Sequence, residues 1–196
     1  MSKQDFNEKI ISDAVSILKD DGVIIVPTDT VYGLACSGNS QVGVNKIYSI
    51  KKRNFNKKLP VIVDNYDRLM NMCEVNKDSL RKLKKFFPGE LTIILKKKNS
   101  EETVAVRMIN NEIINKIIER IDCFLYLTSA NVSNDEPISD ISGLMNEFDG
   151  KVDMIVMGNK MSKVSSTIVD LTGNELKLVR EGNIKFSKIL EVYNRG

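Results

Sequence analysis

The sequence predicts an α/β fold in which a mixed β-sheet is flanked by helices. Two observations carry that expectation. Early in the chain, short runs rich in Val and Ile alternate with helical periodicities, as in strands joined through helices. Later, Ser166-Thr167-Ile168-Val169-Asp170 and Leu176-Lys177-Leu178-Val179 flank Thr172-Gly173-Asn174, a hairpin signal that makes the sheet mixed.

Taken in order, Ile10, Ile11, Ala14, Val15, Ile17 and Leu18 fall on one helical face that ends at Asp20-Asp21-Gly22. Val23-Ile24-Ile25-Val26, bounded by Gly22 and Pro27, reads as a buried strand. A helix over 42–50 runs into Lys51-Lys52-Arg53. Leu59-Pro60-Val61-Ile62-Val63 is a strand whose proline suggests a sheet edge. Two helices occupy roughly 65–86, and Pro88-Gly89 breaks the second before the strand Leu91–Leu95. Val104–Met108 is a strand, 112–120 a helix, Phe124–Leu127 a buried strand, 141–148 a helix and Met154–Met157 a strand. A helix over 184–193 follows the hairpin.

The chain has 196 residues, 42% of them hydrophobic, and lacks any linker, repeat or low-complexity tract. We therefore expect one domain over 1–196, large enough to bury roughly 70% of its unfolded surface. A net charge of +3 is too small for a general nucleic-acid coat but leaves room for a local basic patch. Cys36, Cys73 and Cys123 lie far apart and form no CxxC pair, so neither a zinc site nor a disulfide framework is suggested. No apolar run approaches membrane-spanning length, and the reading is a cytoplasmic protein that does not engage a membrane. Histidine is absent, so Ser-His-Asp and Cys-His catalysis and His-based zinc sites are excluded.

Chemistry gathers in a few strings. Pro27-Thr28-Asp29-Thr30-Val31-Tyr32-Gly33-Leu34 places hydroxyls and a carboxylate at a strand exit, where open α/β sheets put their ligands. Thr and Asp after Pro also simply close turns. Lys51, Lys52 and Arg53, continued by Lys57 and Lys58, would serve as the solvated end of a helix or would face phosphate. In the second case Arg53 acts as a bidentate clamp and Lys51 as a point charge. Arg107, lone on its strand among apolar neighbours, either faces water or crosses a groove to a carboxylate. Thr128-Ser129-Ala130-Asn131 leaves a buried strand, and each of its polar residues also suits an ordinary loop. Cations opposite hydroxyls and amides describe a site for a polyanion beside a small polar molecule. Neither GxxxxGK[ST] nor GxGxxG is present, so no glycine cradle would grip the phosphates.

Seven strings stand together in order across nearly the whole chain. They are Pro27–Leu34, Lys51-Lys52-Arg53, Phe87-Pro88-Gly89 with Leu91-Thr92, and Thr103-Val104-Ala105-Val106-Arg107. Ser129-Ala130-Asn131-Val132-Ser133, Ser166-Thr167-Ile168-Val169-Asp170 and Val179-Arg180-Glu181-Gly182 complete the set. In this the chain resembles the YrdC-type threonylcarbamoyl-AMP synthase family, in its single-domain form. The resemblance implies a twisted α/β sheet with a basic concave cavity. It also implies a nucleotidyltransferase reaction in which L-threonine, bicarbonate and ATP give threonylcarbamoyl-AMP and pyrophosphate, with Mg²⁺ accompanying the nucleotide. The product would pass to downstream threonylcarbamoyl-transferase proteins that modify the adenine beside a tRNA anticodon.

By position, Thr30 and Arg107 would hold threonine, helped by Leu127 and Ser166. Arg53, Lys57, Thr103, Ser129 and Arg180 would hold ATP, and Lys51, Arg53, Ser129 and Asn131 would form the polar core around the reacting groups. The chain departs from the family pattern at Lys52 (commonly Gly or another small or polar residue), Asn54 and Glu90 (commonly Pro) and Asn134 (frequently Gly), which concerns local loop geometry. Two other readings stay open. One is a module for tRNA or another structured or double-stranded RNA; the other is a carbamoyl-adenylate domain with a different acceptor.

Overall fold

A computed structural model describes residues 3–133, 135–158, 164–173 and 175–195. Helix α1 (Lys3–Lys19) leads through a left-handed Asp21 (φ 62°) into β1 (Ile24–Pro27) and β2 (Tyr32–Ser37). Next come α2 (Gln41–Lys51), β3 (Val61–Ile62), α3 (Tyr66–Met72), β4 (Cys73–Glu74), α4 (Lys77–Leu83), β5 (Leu91–Lys97) and β6 (Thr103–Arg107). The chain continues with α5 (Glu112–Ile121), β7 (Leu125–Ser129), α6 (Ile141–Phe148), β8 (Met154–Ile155), β9 (Thr167–Asp170), β10 (Lys177–Arg180) and α7 (Phe186–Arg195). Among the described residues the strands make one mixed sheet in the order β10-β9-β5-β6-β3-β7-β2-β1-β8, with β4 added beside β5. The pairs β1–β8, β3–β6 and β5–β9 are parallel and the rest antiparallel.

Short polar side chains start the helices where the sequence switches from extended to periodic. Ser40, Asn65, Asn76, Asn111 and Asp140 each accept a backbone N–H of the first turn, which removes orphan donors and contributes about 1 kcal/mol per cap. Helix α2 ends at Lys52, whose φ of 49° is the left-handed C-cap conformation. A glycine there would avoid the cost that lysine bears in this conformation, about 1–2 kcal/mol.

The two halves of the sheet are covered differently. Around β1, both faces are buried. Ile24 and Val26 meet Ile11, Ala14 and Leu18 of α1 with Ile114 and Ile117 of α5. Val23 and Ile25 pack instead against Ile47, Leu144 and Phe148 from α2 and α6. Around β5, one face is covered: Ile93, Leu95, Val104, Val106 and Val169 join the core beneath α3, α4 and α7. The alternate residues Thr92, Ile94, Ala105 and Ile168 line an open hollow. Period-two alternation thus makes one wall core and the other wall site.

The structure corrects several expectations. The string after Pro27 runs into a strand, β2, which begins at Tyr32 and pairs with β1 in a hairpin (Pro27↔Tyr32, Val26↔Gly33) and with β7 on its other side. Gly33 belongs to that strand, and a Cβ there would lie 2.6 Å from Leu127. Pro60 does not mark an edge, because β3 lies between β6 and β7. The proline sits just before the two paired residues, where its missing N–H costs no ladder bond, and its carbonyl accepts from Leu127 N at 3.0 Å. The region 65–86 yields α3 and α4 with the short β4 between them. The hairpin forms as β9–β10, although Asn174, like Asn134, lies outside the described residues. No helix of the described residues is long and apolar enough to cross a membrane.

Candidate functional site

The hollow over β5, β6 and β9 is a cavity of about 270 Å³. It gathers residues that lie far apart in sequence: Thr30, Arg53, Arg107, Leu127, Ser129, Ser166 and Arg180 all line it. Lys58 adds a fourth cation beside the three arginines. Cavity size alone does not locate the chemistry. A larger hollow of about 350 Å³ beside the β9–β10 hairpin is lined by two carboxylates, Asp170 and Glu175, against one cation, Lys177, and suits a polyanion less well.

The turn between β1 and β2 divides its labour. Thr28 closes the turn: its Oγ1 accepts from Thr30 N at 3.0 Å and Val31 N at 3.1 Å, and its hydroxyl donates to Val31 O at 2.6 Å. The turn-forming reading therefore holds for Thr28. Its neighbours are used differently. Arg107 reaches from the end of β6 and donates through Nη1 to Thr30 Oγ1 at 2.9 Å, through Nε to Gly89 O at 2.9 Å, and through Nη2 to Asp29 Oδ1.

Of the two readings for Arg107, the water-facing one is excluded, since its side chain is 7% exposed. Burial pushes the Asp29 carboxyl up and the Arg107 guanidinium down, while their mutual attraction opposes both shifts. Asp29 Oδ2 is buried without a hydrogen bond among the described residues. Three of the five guanidinium N–H groups of Arg107, which lines the cavity, are thus taken among the described residues, and two make no hydrogen bond there.

Lys51 is not the solvated end of α2. It is 1% exposed, and its ammonium donates to Ser129 O at 2.5 Å, Asn131 O at 2.7 Å and Asn131 Oδ1 at 3.3 Å. All three protons are used, so it acts as a tie under the cavity and not as a free point charge. Burial first, and the nearby Arg53 second, push its amine down to about 8. Asn131 completes the tie: Oδ1 accepts from Ser129 Oγ at 2.5 Å, and Nδ2 donates to Val132 O and Asp135 O at 2.7 Å each. The loop after β7 is thereby fixed with Ser129 facing the cavity and Asn131 behind it.

The rim is looser. Arg53 donates through Nε to Lys57 O at 2.9 Å and through Nη2 to Lys58 O at 3.2 Å, holding its own loop in a turn. Asn54 Oδ1 accepts from Asn56 N at 2.8 Å, so the asparagine found where proline is usual also closes a turn. On the far wall Thr92 and Ser166 share a hydrogen bond of 2.9 Å, and Arg180 donates to Ser166 O at 2.8 Å. Gly182 lets that wall close: a Cβ there would lie 2.1 Å from Ser165 O. Glu90, the other departure, accepts from Asn183 Nδ2 near the same wall.

Not every expected residue reaches the cavity. Lys57 and Thr103 are exposed and do not line it, although Thr103 shares the strand face of Ala105 and Arg107. The sequence reading had Lys58 in the run that would face phosphate, but the resemblance named Lys57 for ATP; Asp29 as the counter-ion of Arg107, and Thr92, were missed. Counting alternate residues across the strands would have found Thr92, because it lies on the same sheet face as Ala105 and Arg107.

A family model named for Sua5, YciO and YrdC and described as telomere recombination matches residues 16–182. A putative threonylcarbamoyl-AMP synthase of Methanocaldococcus jannaschii is 31% identical over 174 residues, which are 85% of this chain and 83% of that protein. The threonylcarbamoyl-AMP synthase of Pyrococcus abyssi is 29% identical over 91% of this chain and 56% of its own length. The crystal structure of P. abyssi Sua5 complexed with L-threonine superimposes with a TM-score of 0.86 over 93% of this chain and 56% of that one, at 29% identity. E. coli YciO follows at 0.83, 25% identity, and about 90% coverage of both chains. This chain therefore spans little more than half the length of the P. abyssi protein.

Proposed function

This chain belongs to the Sua5/YciO/YrdC family, and on that footing we propose that it is a cytoplasmic threonylcarbamoyl-AMP synthase, joining L-threonine, bicarbonate and ATP with release of pyrophosphate. One observation carries the reading: Thr30, Arg53, Arg107, Ser129 and Arg180 converge on a single cavity. The fold around that cavity is that of a relative crystallised with L-threonine.

The chemistry follows from the charges. Threonine's neutral amine bonds to the carbon of bicarbonate, a C–O bond breaks and the amine proton leaves with that oxygen as water. The resulting carbamate carboxylate then attacks the α-phosphate of ATP and displaces pyrophosphate. Two anions must meet. At about 4 Å and an effective dielectric near 20 they repel by about 4 kcal/mol. Arg53, Lys58, Arg107 and Arg180 offset this within one cavity. Threonine's carboxylate would take the two free N–H groups of Arg107, which Asp29 and Gly89 O hold in place.

At about 270 Å³ the cavity lies just under the range of about 300–1,000 Å³ typical of ligand sites, enough for an amino acid and phosphates but not a whole nucleotide. The adenosine end would extend past the rim. Among the described residues no group of three acidic, Cys or His side chains could hold a metal. Mg²⁺ would accordingly arrive on the phosphates, as this ion commonly does. Proximity contributes on the order of 7–11 kcal/mol without a covalent intermediate. The product would pass to proteins that transfer the threonylcarbamoyl group to tRNA.

The test is pyrophosphate release with ATP, Mg²⁺ and bicarbonate, with and without L-threonine. Release that requires threonine is expected. Threonine-independent release would point to another acceptor, and salt-sensitive RNA binding without turnover would point to an RNA module.

A further inference from the structure

We propose that the opposite face of the sheet carries a second ligand site, for a flat aromatic ring bearing one acidic group. Its cavity, about 300 Å³, is lined by Tyr48, Met72, Phe124 and Tyr126, with Lys58 and Lys97 at the mouth. It lies across the sheet from the concave cavity and shares one lining residue with it, Lys58. Val61, Val104 and Tyr126 line it, whereas their strand neighbours Ile62, Ala105 and Leu127 line the other face.

Three features define the ligand. The walls are rings and a thioether, and Phe124 and Tyr126 stand edge to face at 5.2 Å, so a flat ring gains dispersion and edge contacts there. The hydroxyl of half-buried Tyr126, a lining residue, makes no hydrogen bond among the described residues. It is left as a donor or acceptor for a ligand in a space lined mainly by apolar side chains, with Thr103 and the two lysines as its other polar groups. At the mouth a single carboxylate, Glu102, holds both lysines, Lys97 at 2.7 Å and Lys58 at 3.5 Å. Such exposed pairs contribute little, so a ligand's acid replaces Glu102 at small cost. The volume suits one or two fused rings and is short for a long acyl chain.

This site does not depend on the synthase reading, and its test is separable from it. Binding of 4-fluorobenzoate and 4-fluorophenyl phosphate to the full chain is followed by ¹⁹F NMR, with 4-fluorotoluene as the uncharged control. Broadening of one or both acids, and not of the control, is expected; the acid that broadens more identifies carboxylate or phosphate as the preferred group. Tyr126→Phe and Lys97→Met should each weaken binding about fivefold, the loss of one hydrogen bond or charge contact, with an unchanged melting temperature as the fold control. Excess L-threonine should leave the signal unaltered. The inference is overturned if neither acid broadens at millimolar concentration. It also fails if both variants bind as the wild type does, or if threonine displaces the probe.

Discussion

The floor and the rim of the concave cavity use the same residue types for opposite purposes. On the floor, Arg107 and Lys51 are buried and their donors are mostly or wholly spent on protein acceptors. At the rim, Arg53 and Lys58 are solvent-accessible, and Arg53 is held only by carbonyls of its own loop. A cation saturated by protein shapes a site; a cation with spare donors recruits a ligand. Floor substitutions should therefore cost stability and activity together, whereas rim substitutions should cost affinity alone.

The largest effect is expected at Arg107. Arg107→Met strands the Asp29 carboxylate, one oxygen of which already lacks a hydrogen bond, and should cost about 3–5 kcal/mol in denaturant unfolding. Combining it with Asp29→Leu should recover much of that stability and none of the threonine binding by calorimetry. Recovery of both would make Arg107 structural only.

Lys51→Met removes three charge-assisted hydrogen bonds, although Ser129 O and Asn131 Oδ1 each keep a second donor, and should cost about 3 kcal/mol near neutral pH. The gap between wild type and variant should also depend on pH. The amine titrates at 10.5 when unperturbed and at about 8 in the fold. Between those values the unfolded chain keeps a proton that the native state has released, so wild-type stability rises with pH across this window. The gain is on the order of 3 kcal/mol. Below pH 8 the difference should be flat. A flat difference throughout would mean that the three acceptors keep Lys51 charged in the fold.

Arg53→Ala tests the other side of the comparison. It should leave the melting temperature nearly unchanged and weaken ATP by about 2 kcal/mol, roughly thirtyfold. Thr30→Val should weaken threonine more than ATP, because Thr30 Oγ1 supports Arg107.

How much of this was legible in the sequence follows the same division. The strand-and-helix alternation and the ordered motifs carried the fold, since hydrophobic period and caps are local signals. The strand Tyr32–Ser37 was hidden because the polar string before it reads as a turn, and the turn is there, folded by Thr28. Pro60 misled because a proline just ahead of a paired segment looks like one on an edge. Which lysine faces the cavity, 57 or 58, is a matter of where the loop after Arg53 turns. That turn is held by Arg53 itself, a contact invisible to composition or period.

The smallest predicted effects are the sharpest test of the rim. Family resemblance puts Lys57 and Thr103 on ATP, yet both lie outside the cavity and Lys58 lines it. Lys57→Gln and Thr103→Val should each change ATP affinity by less than about 0.5 kcal/mol, the ordinary range for surface changes away from special features. Lys58→Gln should exceed either. Thr103 shares the face of Ala105 and Arg107, so it is the residue an adenosine would meet if it left the cavity along β6. A loss of tenfold or more for Thr103→Val, with melting temperature unchanged, would mean that the nucleotide runs along that strand and the rim folds over it. An effect confined to Lys58 would leave the phosphates as the only part of ATP the sheet holds.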